Sequence, residues 1–330
     1  MTQPYVRPDV QAFLQFLNNL PGPKTHQLSA PEARAAFAMM KDVADPPVGE
    51  LAVKRDLRCG EIQMRLYDAR ERRTPGPVLV FFHGGGFVIG DLETHDSFCA
   101  EAARALDLPV VAVDYRLAPE APFPAAPDDC EAAARWVADS PTELGLKVTG
   151  LVLAGDSAGG NLTIVTAQQL RDRPARVPVL VQWPIYPVVD DAPKYASFAD
   201  FGEGYLLTQD TMHYFATHYA ATEGDVRNTP ILHRQEGMPP TLLITAGLDP
   251  LRDQGRAYAG ELIRAGVPTV YREAVGNIHG FITLRKAIPS SGTDVAMCFR
   301  ILKDMINEAE AGRVMAVAAD GADTVAAPAE

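Results

Sequence analysis

Gly155-Asp156-Ser157-Ala158-Gly159 follows the apolar run Leu151-Val152-Leu153-Ala154 and leads into a helical stretch. A serine in a G-x-S-x-G turn between a buried strand and a helix has the context of a nucleophile elbow. Side chains two residues either side of the serine would collide in so tight a turn, and glycine at both places removes the clash. The following helix then aims its N-terminus, with the Ala158 amide, at any oxyanion formed beside the Ser157 hydroxyl. The pentapeptide by itself also fits an ordinary strand–helix turn. Two further motifs weigh against that.

The apolar run Val78-Leu79-Val80-Phe81-Phe82 ends in His83-Gly84-Gly85-Gly86-Phe87. Consecutive glycines leave the amides of Gly84 and Gly85 unobstructed, and with Ala158 they predict a three-donor oxyanion hole. A phosphate cradle is a poor rival, because neither G-x-x-x-x-G-K-[ST] nor G-x-G-x-x-G running into a helix is present. His83 leads the glycines and reads as a loop-shaping residue.

An acid and then a histidine are expected after the serine. Asp249 stands in the loop after the strand Thr241–Gly247, and is the acid. Asp253, one helical turn later, reads as a residue that caps or decorates the next helix. His279 follows the strand Thr269–Ala274 and a short loop, where it can reach a serine on a neighbouring strand. His26, His95, His213, His218 and His233 lack that setting and read as surface or lid residues. Asp156 neighbours the nucleophile and cannot bond the far side of the imidazole, so it is expected to give hydrogen-bond support.

These stretches, with Asp114-Tyr115-Arg116-Leu117-Ala118-Pro119-Glu120, Asp249-Pro250-Leu251 and His279-Gly280-Phe281, resemble the bacterial hormone-sensitive-lipase-like esterases of the GDSAG branch. The likeness spans residues 50 to 310. It implies an α/β-hydrolase fold and hydrolysis of small carboxylic esters, with Ser157, Asp249 and His279 as triad and Gly84, Gly85 and Ala158 as oxyanion donors. It also implies a helical cap over the site and, by analogy, a homodimer. Trp183 and Asn277 are bulkier or more polar than the family's pattern near those positions. An amidase or deacetylase would use the same triad. A non-catalytic binding protein on this scaffold, like the plant hormone receptors that resemble the family, usually loses the histidine that His279 supplies here.

The elements that must position these residues follow from hydrophobic patterning. Residues 51 to 186 alternate strands and helices, which predicts a mostly parallel, eight-stranded-type sheet flanked by helices, with active residues at the strands' carboxyl ends. Leu51–Cys59 and Glu61–Tyr67 show period-two patterning suited to an early antiparallel pair. Residues 1–50 carry two amphipathic helices, one after Asp9 and one opening at Ser29-Ala30-Pro31-Glu32, a capping-box pattern. The resemblance assigns them to the cap. Residues 51–311 form the catalytic domain, with a second, aromatic-rich cap segment inserted at about 187–238. Phe87, Tyr205, Leu206, Phe215 and Ile278 are the candidate pocket lining. The Ala-rich stretch 312–330 is expected to be a flexible tail.

Composition excludes several function classes. The net charge of −12 opposes nucleic-acid or anionic-membrane partners. No window approaches the ~20 apolar residues of a membrane span. Residues 1–9 lack a basic patch followed by an apolar stretch, so no secretory signal is read there. The four cysteines are scattered without metal-ligand spacing; they read as reduced thiols of a cytoplasmic protein. The expected chemistry needs a small-molecule ester and no metal or other cofactor.

Overall fold

In the computed structural model, residues 4–191 and 194–325 are described. The central strands are apolar on both faces because both faces are covered. Val78, Val80 and Phe82 of β3 (Gly76–Phe82) and Leu151 and Leu153 of β5 (Val148–Asp156) pack into one core layer. The intervening Leu79, Phe81, Val152 and Ala154 pack into the opposite layer. The first layer is closed by α4 (Ala125–Ala138), α5 (Ala158–Asp172) and α8 (Arg252–Arg264). The second is closed by α3 (Asp96–Leu106) and α9 (Ser290–Val325).

The remaining strands are β1 (Val53–Cys59), β2 (Ile62–Asp68), β4 (Val110–Asp114), β6 (Val179–Ile185), β7 (Thr241–Leu248) and β8 (Thr269–Ile278). They make an eight-stranded sheet in the order β1-β2-β4-β3-β5-β6-β7-β8. β2 runs antiparallel to both its neighbours, and the pairs from β4 to β8 are parallel. After β3 the chain moves outward to β4, then returns past β3 to place β5 on its other side. That reversal makes the carboxyl ends of β3 and β5 a topological switch point, where open α/β sheets bind ligands. Phe82 pairs with Gly155, so the glycine loop and the serine turn leave the sheet side by side.

Outside the sheet's layers lie α1 (Pro8–Asn19), α2 (Ala30–Ala44), α6 (Ala196–Asp200) and α7 (Gln209–Tyr219). Val10, Phe13 and Leu14 of α1 join Phe201, Leu248, Ile278 and Leu284 in a third apolar cluster near the ends of β7 and β8. The backbone amide of Ser29 donates to Glu32 at 2.9 Å and closes the expected box at the start of α2. Two boundaries differ from expectation. β8 runs to Ile278, where Leu248 pairs with it after a register shift, so His279 leaves the strand directly and not after a short loop. The stretch expected as a flexible tail from residue 312 continues α9 as far as Val325, in keeping with alanine's helix preference. Residues 326–330 of that stretch lie outside the described residues.

Candidate active site

The serine turn is held by backbone contact. Ser157 has φ 55° and ψ −115°, a conformation that costs a non-glycine residue roughly 1–3 kcal/mol. A Cβ built on Gly159 would overlap the carbonyls of Phe82 and His83, and one on Gly155 would overlap the carbonyls of Gly159 and Phe82. Both flanking glycines are therefore set by the close approach of β3 to the turn. The Ser157 amide donates to the Ile185 carbonyl at 2.9 Å, which ties the strained residue to β6.

Three side chains from separate strand ends converge. His279 Nε2 lies 2.8 Å from Ser157 Oγ, and His279 Nδ1 lies 2.7 Å from Asp249 Oδ2. Asp249 is fully buried, and its Oδ1 accepts the Leu251 amide at 2.8 Å, which leaves Oδ2 for the imidazole. A carboxylate on Nδ1 places that nitrogen's hydrogen on the acid side and leaves Nε2 as acceptor toward the serine. The ring of Tyr186 sits 4.6 Å from the imidazole and limits its rotation. Asp253 is occupied elsewhere: it accepts the Ser197 amide at 3.0 Å and pairs with Arg252 and Arg256.

The oxyanion loop departs from the sequence reading at one residue. Gly84 donates its amide to Asp156 Oδ1 at 2.7 Å, so it is not free for a substrate oxygen. Among the described residues, the amides of Gly85, Gly86 and Ala158 donate to nothing. Gly85 and Gly86 are thus the loop glycines whose amides are open to an acceptor. A Cβ on Gly84 would overlap Asp156, so the carboxylate's position selects glycine there. His83 is buried, and desolvation with the nearby His95 pushes its imidazole down to about 4. Neutral at ordinary pH, it carries its hydrogen on Nδ1, 2.8 Å from the Gly84 carbonyl. In a trans peptide the carbonyl and the next amide point oppositely, so this bond aims the Gly85 N–H. Tyr115 stacks on His83 at 4.3 Å and donates to its carbonyl at 2.6 Å; the Ala118 amide donates to the Phe87 carbonyl at 2.9 Å. The Tyr115–Glu120 segment thus braces the glycine loop.

Asp156 supports the loop from below. Burial pushes its carboxyl up, but His95, the Gly84 amide and His279 pull harder, and it sits below the usual carboxylate range. His95 therefore is neither a surface nor a lid residue: it is 2% exposed, with Nε2 3.1 Å from Asp156 Oδ1. His26, His213, His218 and His233 are partly or fully exposed, away from these contacts. His95 lies in no motif, and no spacing marks it. Tyr186, whose hydroxyl reaches Asp156 Oδ2 at 3.3 Å, carried no signal either.

The candidate pocket residues separate into two groups. Phe215 lies against Gly86, where an added Cβ would overlap its ring. Leu206 approaches Gly280, next to the histidine, with a Cδ2 3.7 Å from where a Cβ would stand, and Tyr205 packs near Phe201. Phe87 instead stacks on Tyr219 at 3.8 Å within the core, and Ile278 is fully buried in the cluster under α1. Both are buried, Phe87 with a positive φ of 63° and Ile278 at the buried end of the edge strand β8. Trp183 packs between Phe98 and Phe299, and Asn277 bonds Ser291 and Asp294, so neither bulk nor polarity there reaches the serine.

Residues 79–283 match the sequence profile of a family described as having the α/β-hydrolase fold. The carboxylic ester hydrolase LipN of Mycobacterium tuberculosis is 41% identical over 239 residues, 68% of this chain and 62% of that protein. An ethyl acetate hydrolase of Pseudomonas putida is 34% identical over 316 residues, 90% of this chain and 98% of that protein. Among solved structures, an α/β-hydrolase enzyme from the metagenome of Lake Arreo superposes with a TM-score of 0.86 at 34% identity, covering 92% of this chain and 99% of that one. With the glycine loop, the elbow and the acid–histidine pair at their expected strand ends, the chain belongs to the α/β-hydrolase-fold family, among the bacterial hormone-sensitive-lipase-like esterases.

Proposed function

We propose that this enzyme hydrolyses short- to medium-chain carboxylic esters through an acyl-enzyme on Ser157. The unbroken relay from Ser157 through His279 to Asp249, at 2.8 and 2.7 Å, carries the reading. His279 takes the serine proton as Oγ attacks the ester carbonyl, and Asp249 holds the imidazole and its developing positive charge. The amides of Gly85, Gly86 and Ala158 bind the tetrahedral oxygen, and each such donor contributes on the order of 3 kcal/mol in the transition state. His279 then protonates the leaving alcohol. Water attacks the acyl-enzyme with the same base, and the acid is released.

Phe215 over Gly86 and Leu206 beside Gly280 support a confined acyl site. On this reading α1, α2, α6 and α7 are the cap, with residues 187–238 its second segment. All four cysteines are free, which supports a reducing, cytoplasmic setting. Among the described residues, no helix is long and apolar enough to cross a membrane. A homodimer is part of this reading by analogy with the family.

Rates on p-nitrophenyl esters of graded acyl length, with a tributyrin emulsion beside them, test the substrate class. Activity is expected to peak at short to medium chains and to be weak on the emulsion; a preference for the emulsion overturns it. Ser157→Ala is expected to lower kcat by about 10⁴-fold or more with an unchanged fold. Normal turnover by that variant removes the serine from its role.

A further inference from the structure

The Asp156 oxygen that accepts the Gly84 amide is shared with a second donor outside every recognised motif. His95 immediately precedes α3, fully enclosed. Its Nε2 stands 3.1 Å from Asp156 Oδ1, the atom that Gly84 reaches at 2.7 Å. A ring nitrogen facing a carboxylate oxygen must carry a hydrogen, since two lone pairs repel. Nε2 is therefore a donor here. The other nitrogen, Nδ1, lies 3.0 Å from Thr94 Oγ1. That hydroxyl is itself locked, because Thr94 and Asp91 exchange hydrogen bonds across a tight turn. Phe81, Phe37 and His83 surround the ring at centroid distances of 5.8, 6.3 and 5.7 Å. The imidazole is held at both nitrogens and on its faces, so the direction of its Nε2–H is fixed.

We propose that His95 is a positioning residue for ester hydrolysis, fixing the Asp156 carboxylate so that the Gly84 amide, and the oxyanion donors after it, stand in register with Ser157. This rests on the ester-hydrolase reading above. The physical reason lies in what Asp156 loses without it. Its remaining side-chain donor is Tyr186, at a long 3.3 Å. A buried carboxylate short of partners either swings toward another donor or takes up a proton, and both weaken its hold on Gly84. Gly85 and Gly86 follow in the chain, and a donor displaced by ~1 Å costs about 100-fold in rate. Ground-state ester binding makes no use of that register. The effect belongs in kcat and not in KM.

His95→Leu, His95→Gln and His95→Asn separate positioning from bulk stability. Leu removes the donor. The Gln amide reaches the place of Nε2, and the Asn amide, one methylene shorter, does not. The Leu variant is expected to lose about 10- to 100-fold in kcat with KM within about twofold. Gln is expected to return kcat to within about fivefold of the parent and Asn to resemble Leu. Equal kcat for Gln and Asn, or a folded Leu variant at parental kcat, overturns the inference. If Leu fails to fold, the Gln–Asn pair decides. Hydrogen exchange at the Gly84 amide gives a readout that needs no ester turnover. Protection is expected to fall in Asn and survive in Gln, and uniform protection in both overturns the inference even if the parent proves inactive on esters. Inactivity of the parent alone bears on the substrate reading and leaves the exchange result standing.

Discussion

The glycine-loop side of the site and the helices above it are built on different physics. Beneath the substrate position, Gly84, His83, Tyr115, Asp156 and His95 are joined by buried, short, directional bonds, most with one geometry available to them. Above it, α1, α2 and α7 bring apolar side chains such as Val10, Phe13 and Tyr214 to the body, with Asp9 and Arg34 as polar ties, and Phe16, Met39 and Val43 remain 54, 75 and 57% exposed. Low-dielectric hydrogen bonds hold position sharply and fail abruptly when one partner goes. Apolar contacts are non-directional and re-pack at modest cost. The contrast implies that rate is set from below and substrate range from above, and that the two can be changed separately.

The severest break of that division is Gly159→Ala. The added methyl would meet the backbone carbonyls of Phe82 and His83, which cannot rotate away as a side chain would. Moving β3 from the elbow disturbs the nucleophile and both loop donors together. A loss of at least about 100-fold in kcat is expected, with thermal unfolding reporting a destabilisation of about 1–3 kcal/mol or more. Parental kinetics in this variant would show that the lower side is as adaptable as the upper.

Phe215→Ala tests the other half with a smaller effect. Removing the ring opens space over Gly86 while leaving every bond of the loop intact. The ratio of kcat/KM for longer to shorter acyl esters is expected to rise about tenfold, the scale of a changed apolar pocket. The kcat on the short ester is expected to stay within about threefold of the parent. An unchanged chain-length profile places the acyl site elsewhere. A collapse of kcat on every ester breaks the division between the two sides.

How much of this was legible in the sequence follows the same line. Strand ends carrying His83, Ser157, Asp249 and His279 were readable because short apolar runs and glycine turns are local signals, and the fold order is largely set by them. The loop's donor register was misread at Gly84, because what occupies its amide is a carboxylate 72 positions later, beside the nucleophile. Nothing in G-G-G itself distinguishes one amide from the next. His95 was set aside for the same reason: its partner is on another strand, and a lone histidine before a helix has no local mark of burial. Aromatic spacing in 187–238 places Phe215 near the site but says nothing of which residues turn inward, and no local signal marks the candidate lining residues Phe87 and Ile278 as buried in apolar clusters.

The gentlest test uses solvent conditions alone. Each side has a carboxylate held below its usual range: Asp156 beneath the loop, where burial is outweighed by His95, and Glu120 above it, where the bond to Arg34 dominates. A depressed carboxylate contributes stability above its unfolded value that is lost only as pH falls through the lower folded value. Both contributions are therefore intact from neutrality down to the ordinary carboxylate range, and mild acid cannot tell the two sides apart. Salt can. Arg34 and Glu120 are 28 and 57% exposed at the side chain, whereas His95 and Asp156 are 2 and 6%. Raising salt to 1 M shortens the screening length to about 3 Å, which weakens an exposed pair and reaches a buried one far less. Arg34 also donates to the carbonyls of Val88 and Ala118, so α2 keeps its seat on the loop when the pair is screened. An exposed pair of this kind contributes up to about 1 kcal/mol, which bounds the change at about fivefold. KM for the longer esters is expected to move within that bound between low salt and 1 M, with kcat constant. A salt-dependent kcat at constant KM would mean that the exposed pair, through Val88, helps set the loop's register.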